Sequence, residues 1–185
     1  MGFVLASASP RRKRLLKKIV RKFSVKIPEV DERIRSKESF LHAAARLAEL
    51  KAKKIAEQSE KDIVIGADTI AYHGKRYFRK TNDVKAARRV LRFLSGKTHD
   101  VVTGVAVVFP DGKCANYCER AKVRMKRLGD EEIAGYLKSG EWKGRAGCYD
   151  VSGKGRKLVA ELKGERETVV GLPLEKLKKI LAPYL

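Results

Sequence analysis

The run Asp62-Ile63-Val64-Ile65-Gly66-Ala67-Asp68-Thr69-Ile70 limits the possible folds more than any other segment. Its apolar residues follow one another without leaving a polar face, over a length that suits a strand, so it predicts a strand that is buried throughout. Such a strand needs other elements packed over it. It ends in an acidic residue, which places Asp68 at the mouth of the core.

The flanking patterns supply those elements. Phe3 to Leu5 predict a short buried strand, and Pro10 suits the first position of a helix with Ser9 as its N-cap. In that helix Leu15, Leu16 and Ile19 share a face, and Arg12, Lys13, Lys17 and Lys18 occupy the remainder. A second helix, over 38–58, places Phe40, Ala44, Leu47, Ala48 and Ile55 on one stripe. A step of about 100° per residue puts Lys51 inside that stripe. A buried ammonium without a partner is strongly disfavoured, so Lys51 is expected to meet a carboxylate or a bound anion.

A third helix, over 83–94, turns Val84, Ala87, Val90, Leu91 and Leu94 inward and stops at Ser95-Gly96. His99 to Phe109 predict a strand, and Pro110-Asp111-Gly112 a turn. Ala121, Val123 and Met125 alternate with Lys122, Arg124 and Lys126 in a returning strand with one wet face. A short helix from Asp130, its cap, to Ser139 precedes a glycine-rich stretch over 144–155. A hairpin over 158–170 and a helix from Leu174 follow. Helices interspersed among such strands predict an α/β fold with a mixed sheet. At 185 residues the chain suits one domain with one core, with room for two lobes.

Lys and Arg number 43 against 22 Asp and Glu, a formal net charge of +21 distributed along the whole length. That excess points to a polyanionic partner. It is equally the charged surface favoured by thermophilic proteins, in keeping with only two Asn (Asn82, Asn116) and one Gln (Gln58). No zinc-finger spacing, bZIP heptad or aromatic-rich RNA-recognition strand is present, which leaves a small polyphosphate in play. Cys114, Cys118 and Cys148 have no framework spacing and predict packing residues in a reducing compartment. Phe3 to Ala6 are too short for a signal peptide, and no run approaches a membrane span, so a cytoplasmic location is expected.

Ser7-Ala8-Ser9-Pro10-Arg11-Arg12 joins a helix N-terminus to two hydroxyls and two guanidiniums, which suits an anion and also suits an ordinary capped helix. Asp31-Glu32, Asp68, Lys51 and Lys80 offer the complement, because a triphosphate needs a divalent ion held by hard oxygens and cations for its remaining charge. Taken alone, Asp68 as a turn cap and Glu32 as a solvated acid fit as well.

Six segments, in order, resemble the signatures of the Maf family of nucleotide pyrophosphatases. They are Leu5–Arg12, Leu47–Ala52, Gly66–Thr69, Leu94–His99 with Val102-Thr103-Gly104, Ala146–Tyr149, and Val170–Leu174. The resemblance spans nearly the whole chain and implies one ITPase-like α/β domain over 1–185: a mixed twisted sheet with flanking helices, bilobed with a central cleft, and often dimeric. It implies hydrolysis of a nucleoside triphosphate to monophosphate and pyrophosphate with Mg²⁺ or Mn²⁺, in a role that clears unwanted nucleotides.

By position, the resemblance makes Asp68 the proton acceptor and Glu32 a cleft carboxylate that shares the metal with it. Ser7, Ser9, Arg11, Arg12, Lys51 and Lys80 become the phosphate-contacting set, and Thr69, Arg145 and Ser152 further substrate contacts. Arg11 and Thr69 resemble the dTTP/UTP-cleaving group, whereas the 7-methyl-GTP group carries a tryptophan variant at the former position. Three residues depart from the pattern. Ser152 replaces a glutamine, Thr81 a proline and Arg145 a lysine. A hydroxyl lacks the paired donor and acceptor of an amide, which opens the site to CTP or modified nucleotides. The reading from another class is a basic nucleic-acid-binding or division-regulating protein. Nonspecific nucleic-acid association is also compatible with the enzyme.

Overall fold

In the computed structural model, which describes all 185 residues, the chain enters through β1 (Phe3–Ala6) and then α1 (Pro10–Leu16). Proline opens α1, and Ser9 caps it by accepting from the Arg12 amide. Next come β2 (Ser24–Lys26) and α2 (Phe40–Ala56), capped by the Ser39 side chain on the His42 amide. After β3 (Ile63–His73) and β4 (Arg76–Phe78), Asp83 caps α3 (Val84–Leu94). The long strands β5 (Thr98–Val108) and β6 (Cys114–Met125) follow, then α4 (Asp130–Lys138), β7 (Val159–Lys163), α5 (Arg166–Val170) and α6 (Glu175–Leu181). The seven strands form one mixed sheet in the order β2-β1-β3-β5-β6-β7, with β4 beside β3.

The chain divides into two units made of interleaved segments. The first holds Met1–Thr69, Val102–Glu119 and Gly171–Leu185; the second holds Ile70–Val101 and Arg120–Val170. In the first unit β1 is parallel to β2 on one side and to β3 on the other, with Val4 opposite Ser24 and Val64. Helix α2 buries Ala48, Ala52 and Ile55 against Val4, Ala6, Val64, Ala106 and Val108.

In the second unit the end of β3 pairs antiparallel with β4, and β6 pairs antiparallel with β7. Its core gathers Leu91 and Leu94 of α3, Ile133 and Leu137 of α4, and Met125, Trp142 and Tyr149. His99 and Tyr149 meet in this core, with His99 Nε2 2.8 Å from the Tyr149 hydroxyl and the rings edge to face. Burial lowers the His99 imidazole to a pKa of about 4 and raises the Tyr149 phenol.

All three cysteines are unpaired. Cys148 is buried in the second unit, and Cys118 in the first donates to the Leu41 carbonyl. Cys114 and Cys118 both lie on β6, as the extended spacing predicts.

Several boundaries differ from expectation. The strand carrying Asp68 does not end there but continues to His73, because Ile70 and Ala71 are buried beyond it. The cap of α4 is Gly129, whose amide donates to the Glu132 carboxylate, and Asp130 is the first helical residue. The expected hairpin over 158–170 is half right. Residues 159–163 pair with β6, but the returning half is helix α5, because Gly164 turns the chain at φ +105°. Strands β2 and β4 have only three residues each, too few for a periodic signal.

Candidate active site

Two glycines bring α2 onto the sheet. A β-carbon at Gly66 on β3 would stand 2.3 Å from the Ala48 carbonyl oxygen, and one at Gly104 on β5 would stand 2.2 Å from that of Ala44. Only glycine allows the helix backbone so close. Because side chains two apart on a strand share a face, Asp68 points to the same side as Gly66, toward α2. Lys51 reaches it from the helix. Its Nζ lies 2.6 Å from Asp68 Oδ1 and 2.7 Å from Glu32 Oε1. Lys51 and Asp68 are buried, while Glu32 is half exposed.

Glu32 lies on the segment between β2 and α2, which is fastened from both ends. Arg33 Nε and its amide donate to Asp31, the Arg35 amide donates to Glu38, and Arg46 of α2 grips both oxygens of Glu38 at 2.7 and 2.8 Å. Arg46 also donates to the Arg33 carbonyl. The Arg46 guanidinium, with help from the Arg35 amide and His42, lowers the Glu38 carboxyl to a pKa of about 2. The segment borders a hollow of about 490 Å³ lined by Asp31, Arg33, Arg35, Ser36, Arg46 and Leu50.

A second cluster forms around Arg12, whose side chain is buried. Its Nε donates to the Gly171 carbonyl at 2.8 Å, Nη1 to Ser7 Oγ at 3.2 Å and Nη2 to Thr69 Oγ1 at 3.0 Å. Thr69 Oγ1 in turn lies 2.9 Å from Thr103 Oγ1. Three of the five guanidinium donors are therefore spent on the protein, which fixes the side chain. Burial pulls the Arg12 pKa below the usual arginine value, and the charges of Asp68 and Glu32 oppose that shift, so the two clusters feel one another electrostatically. Ser7 Oγ also accepts from the Ser9 amide, which closes the loop before α1, and Arg11 is half-buried at the second position of that helix.

The first unit thus holds two clusters, Ser7, Ser9, Arg12 and Thr69 in one and Glu32, Lys51 and Asp68 in the other, linked by the adjacency of Asp68 and Thr69 on β3 and by charge, with Arg11 on the loop and helix of the first. Lys80, Arg145 and Ser152 belong to the second unit. Lys80 is exposed in the segment after β4. Arg145 is pinned, its Nε and Nη2 on Asp150 Oδ2 at 3.0 and 2.8 Å and its Nη1 on the Lys143 carbonyl. Asp150 also accepts from the Ser152 amide, so one carboxylate sets both residues.

Sequence reasoning assigned no role to Thr103, Gly171, Asp150 or the Glu38–Arg46 pair. The partners of Thr103 and Gly171 lie far along the chain, whereas the spacings of eight residues between Glu38 and Arg46 and of five between Arg145 and Asp150 were usable signals.

No group of three or more His, Cys, Asp and Glu side chains is placed to hold an ion. Glu32 and Asp68 nevertheless bring hard oxygen donors to one cation, the Lys51 ammonium. This donor set fits Mg²⁺, which is commonly held by one or two carboxylates plus substrate phosphates.

A HAM1 protein from Coxiella burnetii has the same fold, with a TM-score of 0.56 and 15% identity over 99% of each chain. The dTTP/UTP pyrophosphatase of Bacillus cytotoxicus is 40% identical over 98% of this chain and 95% of its own. That of Hyphomonas neptunium is 42% identical over 96% and 93%. The profile described as Maf-like protein matches residues 2–184, and the glycines and alanines that seat Lys51 over Asp68 fall within the matched segments, so the chain belongs to the Maf-like family.

Proposed function

We propose that this protein is a nucleoside triphosphate pyrophosphatase that cleaves dTTP and UTP to the monophosphate and pyrophosphate. The observation that carries the reading is Lys51 holding Glu32 and Asp68 together, in a chain whose full-length relatives bear that activity in their names. Water attacks the α-phosphorus, the bond from that phosphorus to the oxygen bridging to the β-phosphorus breaks, and pyrophosphate leaves. Asp68 accepts the proton of the attacking water, with Lys51 holding its Oδ1 and so orienting Oδ2.

Glu32 and Asp68 would hold Mg²⁺ or Mn²⁺, which when bound neutralises charge on the phosphate oxygens. Arg11, Lys51 and Lys80 stabilise charge on the phosphates and on the departing pyrophosphate. Arg12 acts as a fixed positive charge that also positions Ser7, because most of its donors already serve the protein. Arg145, Ser152 and Thr69 shape the substrate contacts, and the hydroxyl at Ser152 broadens the choice of base to CTP or modified nucleotides.

The test is a panel of dTTP, UTP, CTP and 7-methyl-GTP with Mg²⁺, followed by pyrophosphate release. Turnover of the pyrimidines supports the assignment. Preference for 7-methyl-GTP would overturn the base assignment, and orthophosphate alone, or no turnover, would overturn the reaction. Asp68→Asn is expected to lose turnover by at least about a hundredfold while keeping its circular dichroism spectrum.

A further inference from the structure

The first 28 residues contain nine Lys and Arg and no acid, so they supply nine of the 21 net positive charges. The fold arranges most of them on one face. Hydrogen bonds from Lys17 to Lys13 and from Val20 to Leu16 continue the helical path of α1 by a further turn. Along it Arg12, Leu15, Leu16 and Val20 are buried, whereas Lys13, Arg14, Lys17, Lys18, Arg21 and Lys22 are exposed. Lys13, Arg14, Lys17, Arg21 and Lys22 take part in no ion pair or hydrogen bond through their side chains. Elsewhere the surface is laced with pairs such as Lys53–Glu49, Lys54–Glu57 and Arg92–Asp130. Like charges at helical spacing repel, so an uncompensated row of this kind is held against its own electrostatics.

We propose that this outer face of α1 and the turn after it is a docking surface for the phosphate backbone of a nucleic acid. Cations three and four positions apart on a helix stand about 5–6 Å from each other, close enough to neutralise successive phosphates. The apolar side chains of α1 all face the core, so the helix has nothing to insert into a bilayer. The only apolar residues exposed on the edge strand β2 and the residue after it are Val25 and Ile27. A polyanion that needs charge and no apolar insertion is the better complement. The surface is separate from the carboxylates on Lys51 and does not depend on the hydrolytic activity.

The experiment is fluorescence anisotropy of the full chain with a labelled 20-base-pair duplex across a salt series. The wild type is expected to show a steep fall of log affinity with log salt, about 0.9 per neutralised phosphate. The triple variant Lys13→Gln/Lys17→Gln/Arg21→Gln is expected to flatten that slope by about 2–3 while hydrolysing nucleotides at the wild-type rate. A control triple, Lys61→Gln/Lys178→Gln/Lys179→Gln, removes equal charge from exposed positions elsewhere and is expected to change the slope by less than about 1. Equal flattening in both triples, or none in the first, overturns the proposal. So does salt-sensitive binding to vesicles of phosphatidylglycerol without binding to duplex. Intact thermal melting of each variant excludes unfolding as the cause.

Discussion

Lys51 serves two acids of different burial, and the difference predicts how each will respond to change. Asp68 is buried and depends on the ammonium, whereas half-exposed Glu32 is screened by water. Lys51→Met should lower stability by about 3 kcal/mol in urea titrations, because it strands a buried carboxylate. Adding Asp68→Leu should restore most of that loss without restoring turnover. A double variant that regains activity would show that the pair is only structural. Arg12 gives a second residue-level expectation. Thr103→Val removes the hydroxyl that faces Thr69, so it should lower kcat several-fold with little effect on KM, by loosening the guanidinium.

At the scale of elements, the approach of α2 to β3 and β5 controls where Lys51 ends up. Gly104→Ala would drive a methyl group into the Ala44 carbonyl and push the helix off the sheet. A loss of roughly 3 kcal/mol is expected, read by thermal or urea unfolding, together with reduced turnover. Gly74→Ala, at a turn with open space around it, should cost far less, and only through its positive φ.

These elements were partly legible in the sequence. The cap at Ser9, the extent of α3 and the inward side of Lys51 follow from local chemistry and helical periodicity, which act within a few residues. The cap of α4 was misplaced because acids fill its first turn while a glycine precedes it. The distant partners of Arg12 were not legible, because Thr69 comes from β3 and Gly171 from the segment before α6, and a hydroxyl inside a buried strand leaves no trace in an apolar pattern. That Glu32 would share the Lys51 ammonium with Asp68 was not legible from local pattern. The surroundings of Glu32 show why, since it lies in an irregular segment that no period describes.

At the scale of the whole molecule, the buried His99 makes the fold sensitive to mild acid. The native imidazole, at a pKa of about 4, stays neutral at pH values where the unfolded chain, near 6.5, takes up a proton. Stability contributed by the neutral ring is therefore complete above about 6.5 and is lost as pH falls toward 4, by roughly 3 kcal/mol. Urea midpoints measured between pH 7 and 4.5 should show this slope, and His99→Gln should flatten it. The Glu38 carboxyl adds a lower window, in which its stabilising ion pair with Arg46 disappears as pH falls from about 4.5 toward 2.

The thiols give the molecule a built-in reporter. Cys118 and Cys148 are raised to about 11 by desolvation, so at neutral pH only about one sulfur in ten thousand is nucleophilic. Ellman's reagent should therefore wait for the second unit to open before it colours at Cys148. The rate of that colour, followed over hours in a Cys114→Ser/Cys118→Ser background, becomes a clock for breathing motions that heat and denaturant curves average away.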